Sequence, residues 1–171
     1  LSARMIDSNF SATSLIATLK HPLVSCGKNK ETYKNLIELL EKDILRGSFF
    51  IHGISGIKIE VKNYIKKHKL YSNILFKSLY NLVESIELYA KDFKDKFLKN
   101  NQKFSELLSA HIKFTEWLSS SDINSGENLF VIEELENPIS EILLDLYKFS
   151  ENIGNINTHD YQNFLYELFE D

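Results

Sequence analysis

The sequence predicts an all-α fold: a single irregular bundle of about seven helices around one long central helix at about 72–99. Three observations carry this. Apolar residues recur every three and four positions along most of the 171-residue chain, the spacing of one helix face. Six Gly and two Pro are too few to punctuate an all-β fold with its many turns. Leu75, Leu79, Leu82, Val83, Ile86, Tyr89, Phe93 and Phe97 hold helical register for about seven turns. A helix of that length should span the domain and act as its strut.

The other elements follow in order. Residues 1–9 read as the tail of a helix and the chain opens at Leu1, so an excised piece of a longer protein is expected. Ser11 suits the N-cap of a helix over 12–20, because its hydroxyl can accept a first-turn N–H. Pro22 biases His21 away from helical angles and ends that helix; Gly27 then allows a turn before the next begins near Asn29. Tyr33, Leu36, Ile37, Leu40 and Ile44 step at helical spacing towards a stop at Gly47. Residues 48–56, "SFFIHGISG", read as the main loop, and Ile57, Val61, Tyr64 and Ile65 share one side of a helix over 57–67. Asn101 is placed to cap a helix whose stripe is Phe104, Leu107, Leu108, His111, Phe114, Thr115 and Leu118. "SSSDINSGEN" reads as a loop. Asn137-Pro138 restarts a helix, with the proline in the first turn where its missing N–H costs nothing; Ile139, Ile142, Leu143, Leu146 and Tyr147 form its buried face. Thr158 opens the last helix, which turns Tyr161, Phe164, Leu165, Leu168 and Phe169 inward. No fixed-period repeat or linker interrupts residues 1–171, which read as one domain.

Composition narrows the function classes. The 43% hydrophobic content is ordinary for a globular protein, and no apolar run approaches the ~18 residues of a membrane span. No signal segment is visible, so no membrane partner is expected. One Cys cannot staple a fold, which suggests a reducing, cytoplasmic setting. The formal charge of −4 conceals an asymmetry: residues 1–103 hold 18 Lys+Arg against 10 Asp+Glu, and residues 104–171 hold 2 against 14. A polarised molecule can turn a basic face to phosphate and an acidic face elsewhere, although charge runs usually belong to solvated helix faces.

Catalytic machinery is hard to find. "KHPLVSCGK" offers Cys26 as a nucleophile and His21 as its base, five residues apart across a proline. Nucleophilic catalysis also needs an orienting group and an oxyanion hole, and neither is visible. The stretch reads instead as a helix terminator with an incidental, half-buried Cys. His52, His68, His111 and His159 lack a second His or Cys at ligand spacing, so no zinc site is expected. His111, inside an apolar stripe, reads as a core histidine. The acids of "ENLFVIEELEN" and "LYELFED" scatter around helix faces rather than pairing for acid–base work. Gly53 and Gly56 in "HGISGIK" match the spacing of the backbone-clamping loop of KH domains, but the flanking strands are missing and a turn explains them. No Walker A loop or dinucleotide fingerprint occurs, so no cofactor and no small-molecule substrate are expected.

Basic residues do cluster. Lys28, Lys30 and Lys34 form one group; Lys58, Lys62, Lys66, Lys67 and Lys69 form another. Lys58, Lys62 and Lys66, four apart, would carry three charges along one helical stripe, able to follow a phosphate backbone without reading bases. Tyr64 and Tyr71 could stack on an exposed base, although core packing also explains them. Arg46 could grip a phosphate bidentately or cap the carbonyls of its own helix.

Several stretches occur together in a familiar order: "LIATLKHPLVSCG", "LIELLEKDILRGSF", "GISGIK", "LLSAHIKFTEWL", "LFVIEELENPISEILLDL" and "DYQNFLYELF". From Leu15 to Phe169 the chain resembles the middle of AddB-type double-strand-break repair proteins, the alphaproteobacterial inactivated superfamily I helicases. The resemblance rests on "LKHPL", on Leu45-Arg46-Gly47 and on Ala110-His111. It implies a helical subdomain inserted into a helicase-like lobe, in a subunit that pairs with an AddA-type helicase–nuclease and meets duplex DNA ends for recombination. It places no catalytic residue here, since the family's ATP-binding and nuclease motifs have no counterpart in this stretch. "SFFIHGISGIK" departs from the Pro- and Arg-rich composition common after the Leu-Arg-Gly. Two readings follow: a noncatalytic DNA-contacting or inter-subunit subdomain, with Lys58, Lys62, Lys66, Lys67 and Arg46 as candidate phosphate contacts, or a helical protein–protein module without nucleic acid that uses acidic residues 127–171.

Overall fold

A computed structural model describes residues 1–46, 53–99, 101–123 and 138–170, with side chains of 138–144 and 168–170 left aside. The described chain is a helical bundle: α1 (Ser2–Asp7), α2 (Ala12–Leu19), α3 (Lys30–Leu39), a π-helical segment (Leu40–Leu45), α4 (Gly53–Lys67), α5 (Ile74–Phe97), α6 (Phe104–Ser119), α7 (Pro138–Ile153) and α8 (Thr158–Glu170). α5 is the strut. It packs against α1, α3, α4 and α6, and its Leu79, Leu82, Val83, Ile86, Phe93 and Phe97 are fully buried. Asn73 starts it, its side-chain oxygen accepting the Leu75 and Phe76 N–H groups.

Three local departures from the sequence reading have physical causes. α4 begins at Gly53, so 53–56 is helix rather than loop; Ile54, buried with Ile57 and Val61, carries the apolar stripe back one turn. Residues 47–52, the rest of the expected loop with the Gly47 stop and His52, lie outside the described residues. The helix begun at Lys30 changes to π geometry at Leu40, which lets both Ile44 and Leu45 face the core one wider turn after Leu40. Asn101 caps no helix. It takes a left-handed backbone (φ 71°) ahead of a two-residue strand, β1 (Gln102–Lys103), antiparallel to β2 (Asn155–Ile156). That pair ties the start of α6 to the turn between α7 and α8, and the Phe104 N–H donates to the Gly154 carbonyl at 2.9 Å.

Individual faces also shift. On α5, Leu75 and Tyr89 lie on the surface while the adjacent Phe76 and Ala90 are buried; the other six expected positions face inward. Tyr147 on α7, expected inside, is 56% exposed, whereas Leu146 is buried as expected. α7 starts at Pro138 as expected; its Asn137 cap, the "NSGEN" end of the expected loop, and the side chains of Ile139, Ile142 and Leu143 fall outside the description, as do those of Leu168 and Phe169 on α8.

Candidate nucleic-acid interface

The five candidate phosphate contacts have different surroundings. Lys58 forms an ion pair with Glu87 of α5, and Ser55 also donates to that carboxylate. The hydrogen bond to Glu87 raises the Lys58 pKa, and the same contact holds the Glu87 carboxyl below its ordinary value. Lys62 lies over the Tyr80 ring, 5.0 Å from its centroid, a cation–π contact with the same helix. The first two members of the stripe are thus pinned to α5. Lys66 and Lys67 are exposed. Neither makes a side-chain hydrogen bond or ion pair with a described residue; their charges sit in the last turn of α4, where they also complement the helix dipole. Arg46 is exposed on extended backbone (ψ 115°) at the end of the π segment and caps no carbonyl among the described residues. It lines a groove of ≈ 590 Å³ against Ala12, Thr13, Ile16 and Ala17 of α2, which contains none of the α4 lysines.

The corner joining α4 to α5 is built by a helix-ending motif. The Leu70 N–H donates to the Ile65 carbonyl at 2.9 Å and the Lys69 N–H to the Lys66 carbonyl at 3.3 Å, with Lys69 left-handed at φ 55°. These paired bonds are the Schellman pattern, whose left-handed position usually goes to glycine. The two tyrosines considered for stacking part company here. Tyr64 is packed, stacked on Phe76 with centroids 5.3 Å apart and its hydroxyl 3.4 Å from Asp43. Tyr71, past the turn, is 60% exposed.

"KHPLVSCGK" turns out to be more than a terminator. The Ser25 and Cys26 N–H groups both donate to the Leu118 carbonyl at 2.9 Å, and the Gly27 N–H donates to the Ser120 carbonyl at 2.8 Å. These donors satisfy the carbonyls that α6 leaves unpaired at its C-terminus. The fit requires left-handed backbone at both Cys26 (φ 49°) and Gly27 (φ 72°). The Cys26 thiol is buried 3.9 Å from the Tyr33 hydroxyl, which itself donates to the Leu19 carbonyl at the end of α2. Burial pushes the thiol up to about 12, so it is protonated near neutrality. His21 is exposed, and its Nδ1 accepts the Leu23 N–H of its own turn. The structure gives Cys26 and His21 separate partners.

His111 joins three elements. Its Nε2 lies 2.7 Å from the Ser2 hydroxyl of α1 and its Nδ1 2.9 Å from the Tyr161 hydroxyl of α8, and its ring stacks on Phe93 at 4.3 Å. The arrangement borders a cleft of ≈ 710 Å³ that also contains Arg4, Asp7 and Gln162. A Ser–His–Tyr chain has the outline of a hydrolytic triad, but its electrostatics oppose that use. Burial, with the Leu1 ammonium adding to it, pulls the imidazole down to about 3, and a tyrosine hydroxyl supplies no charge to stabilise an imidazolium. A general base needs a pKa near the working pH. This histidine is a structural cross-link, which the apolar stripe around it signalled.

Lys30 and Lys34 line a third groove of ≈ 600 Å³ beside the His21-Pro22 turn. Its other cations are neutralised there, Lys20 by Glu41 and Lys42 by Glu38. Gly53 and Gly56 belong to the first turn of α4. A Cβ on Gly53 would lie 2.6 Å from Asn9 Oδ1, and its φ is +63°, so this glycine serves close packing against the turn between α1 and α2 rather than a ligand. Among the described residues no three His, Cys, Asp or Glu side chains are grouped to hold a metal ion, and no helix is long and apolar enough to cross a membrane. Compared with known proteins, the chain matches no family model, no curated protein and no solved structure.

Proposed function

We propose that this chain is a noncatalytic helical subdomain of an AddB-type, helicase-like subunit, working in the cytoplasm in double-strand-break repair and recombination. Its contribution is to hold DNA and to pack against an AddA-type helicase–nuclease partner. The observation that carries the reading is the charge asymmetry placed on a rigid helical frame. Residues 1–103 carry the net positive charge, with exposed lysines at the end of α4, and residues 104–171 carry the net negative charge. Phosphate neutralisation by lysines supplies sequence-independent affinity that falls steeply with salt. Titrating labelled duplex DNA with the chain at several salt concentrations tests this. The affinity should fall linearly on a log–log plot, and the Lys66→Glu, Lys67→Glu double variant should bind at least tenfold more weakly. Lys58 is a poor choice for reversal, because a glutamate there would face Glu87. Absence of binding to any nucleic acid at low salt defeats the proposal.

A specific observation favours the second reading, a protein-interaction module. α7 exposes Phe149 and Ile153 one turn apart on one face, with the exposed Asp145 one turn before them. If that face is the working surface, Phe149→Ser with Ile153→Ser abolishes assembly with a basic protein partner and leaves DNA affinity unchanged.

A further inference from the structure

The corner between α4 and α5 is rich in lysine and free of acidic residues. From Val61 to Val83 there is no Asp or Glu, while Lys62, Lys66, Lys67, Lys69 and Lys77 supply five positive charges. Lys62 leans on Tyr80; the other four are exposed and make no side-chain hydrogen bond or ion pair with a described residue. Asp43 reaches this region only at the Tyr64 hydroxyl, on the side of α4 that meets the π segment. At the apex stand Tyr71, 60% exposed, and Ile74, 80% exposed at the first position of α5. The turn is held rigidly from both sides, by the paired hydrogen bonds ending α4 and by the Asn73 cap opening α5. Lys69 occupies the left-handed position there, at a conformational cost of about 1 kcal/mol that glycine would avoid.

From these features we infer that the α4–α5 corner is a binding site for single-stranded nucleic acid, with Tyr71 stacked on an unpaired base and Lys66, Lys67 and Lys69 neutralising the adjoining phosphates. The inference rests on the DNA-contact reading and sharpens it from duplex to single strand. A tyrosine ring can stack on a base only where that base has left its own stack. Duplex recognition through base edges would need a helix or ribbon shaped to a groove, whereas this corner offers a projecting ring and an apolar side chain in a field of unpaired positive charge. Lysine ammonium groups and a ring face read no base identity, so binding is sequence-tolerant.

The test compares a labelled oligothymidylate, a labelled duplex and vesicles of phosphatidylserine with phosphatidylcholine, each titrated with the full chain. The oligothymidylate should bind more tightly than the duplex. Tyr71→Ala should weaken it by about tenfold and Tyr71→Phe should not, since stacking is worth ~1–3 kcal/mol per base. Replacing Lys66, Lys67 and Lys69 with Gln should flatten the log–log salt slope by about 2, at ~0.7 per phosphate on a single strand. Duplex binding that exceeds single-strand binding and ignores Tyr71→Ala overturns the inference while leaving the DNA-contact reading in place. Binding to neither nucleic acid overturns both. Capture by the anionic vesicles without nucleic-acid binding assigns the corner to a membrane surface and likewise overturns it.

Discussion

The His111 cleft and the α4–α5 corner both gather a tyrosine with polar neighbours, yet the two regions are partnered in opposite ways. In the cleft each polar atom of the central trio is spoken for: Ser2 and Tyr161 bracket the imidazole, and Phe93 covers its face. At the corner the lysines have no described acid and Tyr71 has no ring against it. A buried polar group without a partner is costly, so a satisfied network is what folding alone would select. An exposed aromatic set among unpaired cations gains nothing for folding; its value lies in what it can bind. The cleft looks more like chemistry on paper, but the corner is the better candidate for function.

Breaking the cleft should give the larger stability effect. His111→Ala removes the ring stacked on Phe93 and leaves the Tyr161 hydroxyl, itself buried, without its partner. A loss of about 3 kcal/mol in urea-induced unfolding is expected, with the salt dependence of DNA binding unchanged in whatever fraction stays folded. Acid titration sharpens the same region. Because the folded imidazole titrates near 3 and the unfolded one near 6.5, protons bind the unfolded chain preferentially in that interval. The stabilisation is complete above about pH 6.5 and is lost as pH falls towards 3, at up to about 1.4 kcal/mol per pH unit. His111→Gln should lack this part of the acid slope when midpoints are compared across pH. At the corner the effect on folding should be smaller and of opposite sign. Lys69→Gly relieves the left-handed backbone and should raise stability by about 0.5–1 kcal/mol, read as an upward shift in Tm. Affinity for the oligothymidylate should fall at the same time. A corner variant that costs stability as heavily as His111→Ala would erase the distinction.

Much of the frame is legible in the amino-acid order. Ser11 sits where an N-cap belongs and Asn29 where the next helix begins, and each side chain accepts a first-turn N–H; the Asn73 cap of α5 emerged only in the structure. The His21-Pro22 exit and the helix start at Pro138 follow from local steric rules that need no distant residue. The π segment was illegible, because Leu40, Ile44 and Leu45 satisfy either helical period and only the shape of the surrounding core selects the wider turn. So was the β1–β2 pair, whose two-residue strands carry no periodic signal. At the candidate site the lysine stripe was readable, but its meaning changed. Lys58 and Lys62 are bound to Glu87 and Tyr80 on α5, contacts set by how two helices cross. Tyr64 and Tyr71 looked equivalent at seven residues' separation and ended up on opposite sides of the packing boundary.

The sequence by itself determined that this protein is helical, where most of its helices start, and that its charge is divided along the chain, because caps, proline geometry and 3.6-residue periodicity act within a few residues. Tertiary structure alone decided which polar groups are consumed in holding the bundle and which remain free for a ligand. That outcome depends on side chains brought together from positions as far apart as Ser2, His111 and Tyr161, and no local rule reaches across such distances.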